Sequence, residues 1–148
     1  MTHTFRPAEP RDADALLSMM RGLYEHDEPP FDEGRAGAAL AQLLDEEAYG
    51  LAYLILLGGE VAGYVVLTFG FSLEFGGRDA FVDELYVREE FRGRGAGGAA
   101  LRFAEEVCRG RGVRALHLEV ERANARAEAL YRRAGFVAHD SRLMTRRL

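Results

Sequence analysis

Residues Arg92 to Gly98 read Arg-Gly-Arg-Gly-Ala-Gly-Gly. A strand-like run, Ala80 to Val87, leads into them, and an amphipathic helical pattern, Ala99 to Arg109, leaves them. Glycines at such a junction let backbone N–H groups approach a ligand closely. The start of the helix adds unpaired N–H donors and the positive end of its dipole. Arg92 and Arg94 add permanent positive charge. Together these are the parts of a phosphate or pyrophosphate site. The chain must therefore hold a strand–turn–helix unit, and that unit belongs to a sheet with helices on its faces.

The rest of the chain supplies the layers. Thr4 to Arg6 predicts a short strand. Pro10 to His26 predicts a helix with Leu16, Met19, Met20 and Leu23 on one face. Gly22 weakens that helix, and Pro29-Pro30 cannot continue it. The connection that follows, Tyr24 to Glu33, is acidic with two aromatics and predicts an exposed loop. A second helix carries Ala36, Ala39, Leu40, Leu43 and Leu44 on one face. Leu51 to Leu57 and Val61 to Phe71 form a hairpin around Gly58-Gly59. After the glycine turn and its helix come a strand over Ala115 to Val120 and a helix over Asn124 to Ala134. Two short closing strands are expected at Phe136 to Ala138 and Arg142 to Leu148. The expected class is α/β, a mixed sheet in the order β-α-α-β-β-β-α-β-α-β-β. The unit around the glycines should be parallel and the strands before it antiparallel. At 148 residues, with no repeat or linker, a single domain over 1–148 is expected.

Charge narrows the partners. Net charge is −5, against nucleic acid as the main partner. The distribution is uneven: residues 1–87 hold 5 Arg and 16 acids, residues 88–148 hold 14 Arg and 8 acids, and Lys is absent. That pattern suits a C-terminal half that holds a polyanion and an N-terminal half that attracts a cation. No apolar run reaches the length of a membrane helix. No secretory pattern opens the chain, so a cytoplasmic location and no membrane partner are expected. The lone Cys108 sits on the apolar stripe of its helix and reads as packing. His3, His26, His117 and His139 lack metal-ligand spacing, so no metal is expected.

Two families of phosphate turn compete. Gly93, Gly95 and Gly98 satisfy G-x-G-x-x-G, with Glu119 about 20 residues on, where a ribose-binding acid would sit. Against a dinucleotide fold, too little chain follows for a second mononucleotide half. Asp83 and Glu84 interrupt the strand, and Arg88-Glu89-Glu90-Phe91 separates it from the glycines. A Walker A loop is excluded because no Lys follows the glycines. The other pattern is Arg92-x-x-Gly95-x-Gly97 preceded by Leu85-Tyr86-Val87, which resembles motif A of the GNAT superfamily of acyl-CoA-dependent N-acyltransferases. Asn124-x-x-Ala127-x-x-Leu130-Tyr131-x-x-x-Gly135-Phe136 resembles its motif B. The resemblance extends over essentially the whole chain. Glu89 and Ala96 depart from it, where the family often has Pro and a larger aliphatic.

The resemblance implies roles. The strand before the turn splays from its parallel neighbour, and backbone groups of Leu85, Tyr86 and Val87 bond the pantetheine arm of acetyl-CoA. Arg92, Gly93, Arg94, Gly95, Ala96 and Gly97 take the pyrophosphate, and Gly98 allows close helix approach. A backbone donor near Val87 polarises the thioester carbonyl. Asn124 bonds the coenzyme as well as capping its helix. Tyr131 protonates or stabilises the departing thiolate. An alkyl ammonium must lose a proton before it attacks, which calls for a carboxylate. Asp83 and Glu84 are the candidates, with Glu84 favoured for reach. Adjacent residues on a regular strand face opposite ways, and a bulge would relax that rule.

The acceptor is expected to be a cationic small molecule of polyamine or aminoglycoside type, or a peptide amine. The loop residues Tyr24, Asp27, Glu28 and Phe31 are expected to bind it, with Asp32 and Glu33 adding charge. A homodimer is also expected. Three function classes stand at this point: an N-acetyltransferase, a non-catalytic acyl-CoA-binding module, and a dinucleotide-dependent oxidoreductase.

Overall fold

A sheet whose central strand is buried on both faces, in an unbroken run from Ala62 to Leu67, builds the centre of the molecule, and the computed structural model describes residues 2–148. Strands β1 (His3–Pro7), β2 (Gly50–Leu57), β3 (Glu60–Ser72), β4 (Gly77–Val87) and β5 (Ala115–His117) form one sheet in the order β1-β2-β3-β4-β5. The first four pair antiparallel, and β4 pairs β5 in parallel. Gly58 and Gly59 turn β2 into β3 with φ of 60° and 82°, the paired positive angles a two-residue hairpin needs.

Helices α1 (Ala13–Leu23) and α2 (Glu33–Asp45) cover one face. Leu16, Met19 and Met20 of α1 and Leu40 of α2 pack on Ala52, Leu54, Tyr64 and Val66. Helices α3 (Ala96–Gly110) and α4 (Ala125–Arg133) lie over the other face. There Leu101, Ala104 and Cys108 pack on Val65, Leu67, Ala80 and Val82, with Leu130 and Tyr131 alongside. Each fully buried aliphatic contributes roughly 1.5–3 kcal/mol. Arg6 and Asp12 join β1 to the start of α1 through a bidentate pair at 3.0 Å on both arms. This pairing holds the Asp12 carboxyl below its ordinary value.

Three expectations need correction. The first helix is split: a 3-10 turn at Pro10–Asp12 precedes α1, which ends at Leu23. The helix after the glycine turn starts at Ala96, so Ala96, Gly97 and Gly98 form its first turn. At the C-terminus β5 stops at His117, and residues 136–138 and 142–148 form no strand. Neither segment pairs with β5, the edge strand of the sheet, or with the free edge of β4. Val137, Leu143 and Met144 stay exposed accordingly.

Candidate active site

The site is built around two irregularities of β4. The first is a bulge. Val66 pairs with Glu84 and Leu67 with Val82, so Asp83 is the extra residue. The bulge reverses the alternation of the strand. Ala80 and Val82 face α3, whereas Glu84 and Tyr86 turn toward α1 and α2. Without the extra residue Glu84 would share the α3 face with Val82. The second irregularity is a parting of strands. Ladder pairing between β4 and β5 ends at Phe81 and His117. Leu85, Tyr86 and Val87 keep β3 as neighbour on one edge and have no strand on the other. Asp79 and His117 bridge the last paired rungs at 3.1 Å.

Glu84 is half-buried, and each of its oxygens is occupied. Tyr64 Oη donates to Oε1 at 2.7 Å, and Tyr24 Oη donates to Oε2. Burial pushes the carboxyl above its ordinary value, and the two hydroxyls pull it partly back. The groups acting on it are these hydroxyls and Asp83; no basic side chain is among them. Both phenols are pushed up, chiefly by burial and then by Glu84, so both remain donors. Asp83 is exposed, yet loss of water around it still raises its carboxyl. The structure thus separates the two acids: Glu84 is oriented by donors, and Asp83 has none. Gly22 permits this arrangement, because a Cβ there would lie 2.6 Å from Tyr86 Oη. The glycine that weakens α1 brings its end onto the sheet.

The glycine turn is anchored by Phe91, which is buried. Gly93 and Gly95 take φ of 76° and 83°, and Gly95 is the N-cap of α3. Nothing lies within 4 Å of a Cβ built on either, so the turn faces open space. The N–H groups of the first turn of α3 point there without helical partners. Arg92 Nε donates to the Val87 carbonyl at 2.8 Å, with its guanidinium 5.6 Å from the Tyr86 ring. Arg94 lies 5.7 Å from the Phe91 ring. Both stems are held while their side chains stay exposed. The close approach expected at Gly98 falls on Gly97 instead, where a Cβ would stand 3.0 Å from Leu130 Cδ2.

Tyr131 lies on α4 in the apolar cluster that also receives Leu85 and Leu118. Its ring meets Phe136 edge-on at 6.4 Å, and burial raises its phenol. Tyr131 and Gly98 line one open groove of about 1440 Å³ between α3, β5 and the tail. Asn124 Oδ1 accepts from Ala127 N at 3.1 Å and so caps α4, which leaves its NH₂ group for another partner.

The acidic loop is rearranged relative to expectation. Asp32 caps α2 by accepting from Arg35 N at 3.1 Å, and Glu33 pairs with Arg21 at 2.8 Å. Their charges serve the scaffold. Asp27, Glu28 and Phe31 line a cavity of about 390 Å³ with Tyr24, but Arg35 and Arg147 line it too. The cavity is therefore mixed in charge. Sequence reasoning missed Tyr64, because a tyrosine in an alternating strand reads as packing. Only the β3–β4 register, which sets Tyr64 opposite Tyr86 and Val66 opposite Glu84, reveals its position.

The bulged strand, the parted neighbour and the glycine turn are all contained in residues 16–136, the span matched by the model of the acetyltransferase (GNAT) family. The chain belongs to this family. A thialysine N-epsilon-acetyltransferase of Bos taurus is 35% identical over 75 residues, 51% of this chain and 44% of that enzyme. An L-methionine sulfoximine/L-methionine sulfone acetyltransferase of Pseudomonas aeruginosa is 27% identical over 139 residues, 92% of this chain and 81% of that one. An integron cassette protein from the mobile metagenome of Cole Harbour Salt Marsh superposes with a TM-score of 0.85 at 36% identity, covering 97% of this chain and 90% of its own. Membership in this acetyltransferase family sets aside the dinucleotide reading of Gly93, Gly95 and Gly98. The structure agrees, since the strand leading into the turn pairs antiparallel with β3 and parallel with β5 over only three residue pairs, not in the parallel sheet of a dinucleotide fold.

Family members draw their acyl group from acetyl-CoA, and the turn fits such a ligand. Open space over Gly93 and Gly95, helix N–H groups and two tethered arginines match a pyrophosphate. The strand edge at Leu85 to Val87 matches an amide-bearing arm.

Proposed function

We propose that the protein transfers an acetyl group from acetyl-CoA to a small primary amine that arrives as an ammonium ion. The observation that carries this reading is Glu84, an oriented, half-buried carboxylate held by two hydroxyls, with no salt-bridge partner among the described residues. A buried charge is costly unless paired. An ammonium supplies the missing positive partner, and it is also the group that must lose a proton.

Acetyl-CoA, when bound, supplies an acyl carbon activated by a thiol leaving group. Arg92, Arg94 and the first turn of α3 hold the pyrophosphate, and the free edge of β4 aligns the arm. Glu84 takes one proton from the ammonium, leaving a neutral amine nitrogen that bonds the acyl carbon as the carbon–sulfur bond breaks. The amine's second proton ends on the sulfur by way of Tyr131, which gives its hydroxyl proton to the sulfur and regains one from nitrogen. Burial of Tyr131 keeps its phenol protonated, as that role requires. Glu84 then releases its proton to water.

Relatives that acetylate thialysine and methionine sulfone support a small acceptor. Free-thiol release with acetyl-CoA should be followed across a panel of thialysine, methionine sulfone, a linear diamine, an aminoglycoside and an alanyl peptide. Turnover with one of the first four is the expected result. Turnover with the peptide alone would replace the small-molecule reading. Binding of coenzyme A without turnover of any amine would leave a binding module.

A further inference from the structure

The two hydroxyls on Glu84 come from parts of the fold with different freedom. Tyr64 sits in β3, paired with Leu54 of β2 on one side and Tyr86 of β4 on the other, and it is 0% exposed. It cannot leave Oε1 without opening the sheet. Tyr24 is the first residue after α1, where the exposed loop begins. Its ring stacks on Phe31 of that loop at 6.1 Å and 7°. Together with Asp27, Glu28 and Phe31 it lines the cavity of about 390 Å³. Glu84 itself does not line that cavity; Tyr24 lines it and also bonds Oε2, so Tyr24 stands between the two.

An ammonium approaching from that cavity competes with Tyr24 for one oxygen. The Tyr24 bond has one charged member and an ammonium bond has two, so in a half-buried pocket the added Coulombic attraction favours the ammonium. We propose that Tyr24 is a latch displaced by substrate: its hydroxyl holds Glu84 Oε2 in the free enzyme, the acceptor ammonium takes that oxygen over, and Tyr64 stays on Oε1 throughout. The proposal rests on the reading of Glu84 as the base. Tyr24 is then a positioning residue that keeps a desolvated carboxylate ionised and aimed until the amine arrives. Its stacking on Phe31 couples release of the latch to movement of the loop.

The groups acting on Glu84 are Tyr64 from β3, Asp83 from β4 and Tyr24 from the end of α1; behind them Tyr86 acts on Tyr64, and Asp27 of the loop acts on Tyr24. Arg35 and Arg147 face the cavity from α2 and the tail. The test separates free enzyme from complex. The acid limb of kcat/KM reports Glu84 in the free enzyme, and that of kcat reports it with amine bound. Both profiles are measured with acetyl-CoA and thialysine, or the fastest amine of the panel, for wild type, Tyr24→Phe and Tyr64→Phe. Tyr24→Phe should raise the acid limb of kcat/KM by roughly 0.5–1 pH unit, the scale of one hydrogen bond to the anion, and leave that of kcat in place. Tyr64→Phe should raise both limbs. A Tyr24→Phe variant that shifts both limbs equally, or neither, overturns the latch. If Tyr64→Phe does not fold, the split within Tyr24→Phe still decides. Full activity in Glu84→Gln would instead refute the base itself, whereas an inactive Glu84→Gln with an unsplit Tyr24→Phe refutes the latch alone.

Discussion

The glycine turn and the Glu84 pocket both handle charge, and they do so by opposite means. The turn presents positive potential from backbone N–H groups of α3 and two exposed arginines, all within residues 92–98. The pocket presents one negative group, and the side chains that orient it lie 20 and 60 residues away in sequence. The turn is open, so water screens its charges. The pocket is partly closed, so its single charge is strongly felt and its protonation shifts. A polyanion can be held by many weak, exposed donors. A proton must be taken at one atom, which demands a rigid, desolvated acceptor.

The largest expected effect therefore belongs to the pocket. Glu84→Gln should lower kcat/KM about 10²–10⁴-fold in thiol-release assays. It should also stabilise the fold at neutral pH by about 1 kcal/mol, or roughly 2–4 °C in thermal denaturation. The sign follows from the raised carboxyl. Its contribution to stability is complete below the unfolded-state value and is lost as pH rises through the higher folded value. At neutral pH the charged group is a cost that the amide removes, and a Gln variant that melts earlier would contradict this.

Tyr131→Phe comes next. We expect kcat to fall about 10–100-fold, less than for the base because a thiolate departs readily. Unchanged kcat across the pH range would reduce Tyr131 to packing. Gly95→Ala tests the turn. With φ at 83°, alanine costs roughly 1–2 kcal/mol there, and KM for acetyl-CoA should rise about tenfold with KM for the amine unchanged. Equal rises in both would erase the division between the two regions. Smallest is Arg94→Ala, with a KM for acetyl-CoA raised about two- to fivefold at low salt and less at high salt, as befits an exposed charge. An effect independent of salt would mean that Arg94 acts through its packing on Phe91.

The ends of the chain show how far local pattern reaches. α1 and β2 to β4 form where their apolar residues predict, because each has a partner to bury against. Leu118 to Val120 and the tail carry similar residues and still form no ladder, so propensity alone does not make a strand. Asp32 and Glu33 read as added charge in an acidic loop; in the fold one caps α2 and the other pairs with Arg21. Composition registers charge but not the cation already beside it.

The sequence by itself determined the strand–glycine–helix unit, its backbone donors and paired arginines, and the apolar faces of the first helices. These follow from φ preferences, spacing and backbone donors, which act over a few residues. Only the tertiary structure decided which of Asp83 and Glu84 is oriented. A one-residue bulge set by pairing with β3 turned Glu84 to the α1 face, and Tyr24 and Tyr64 were brought to it by chain packing. Such a choice depends on register and long-range contact, and those exist only once the sheet has formed.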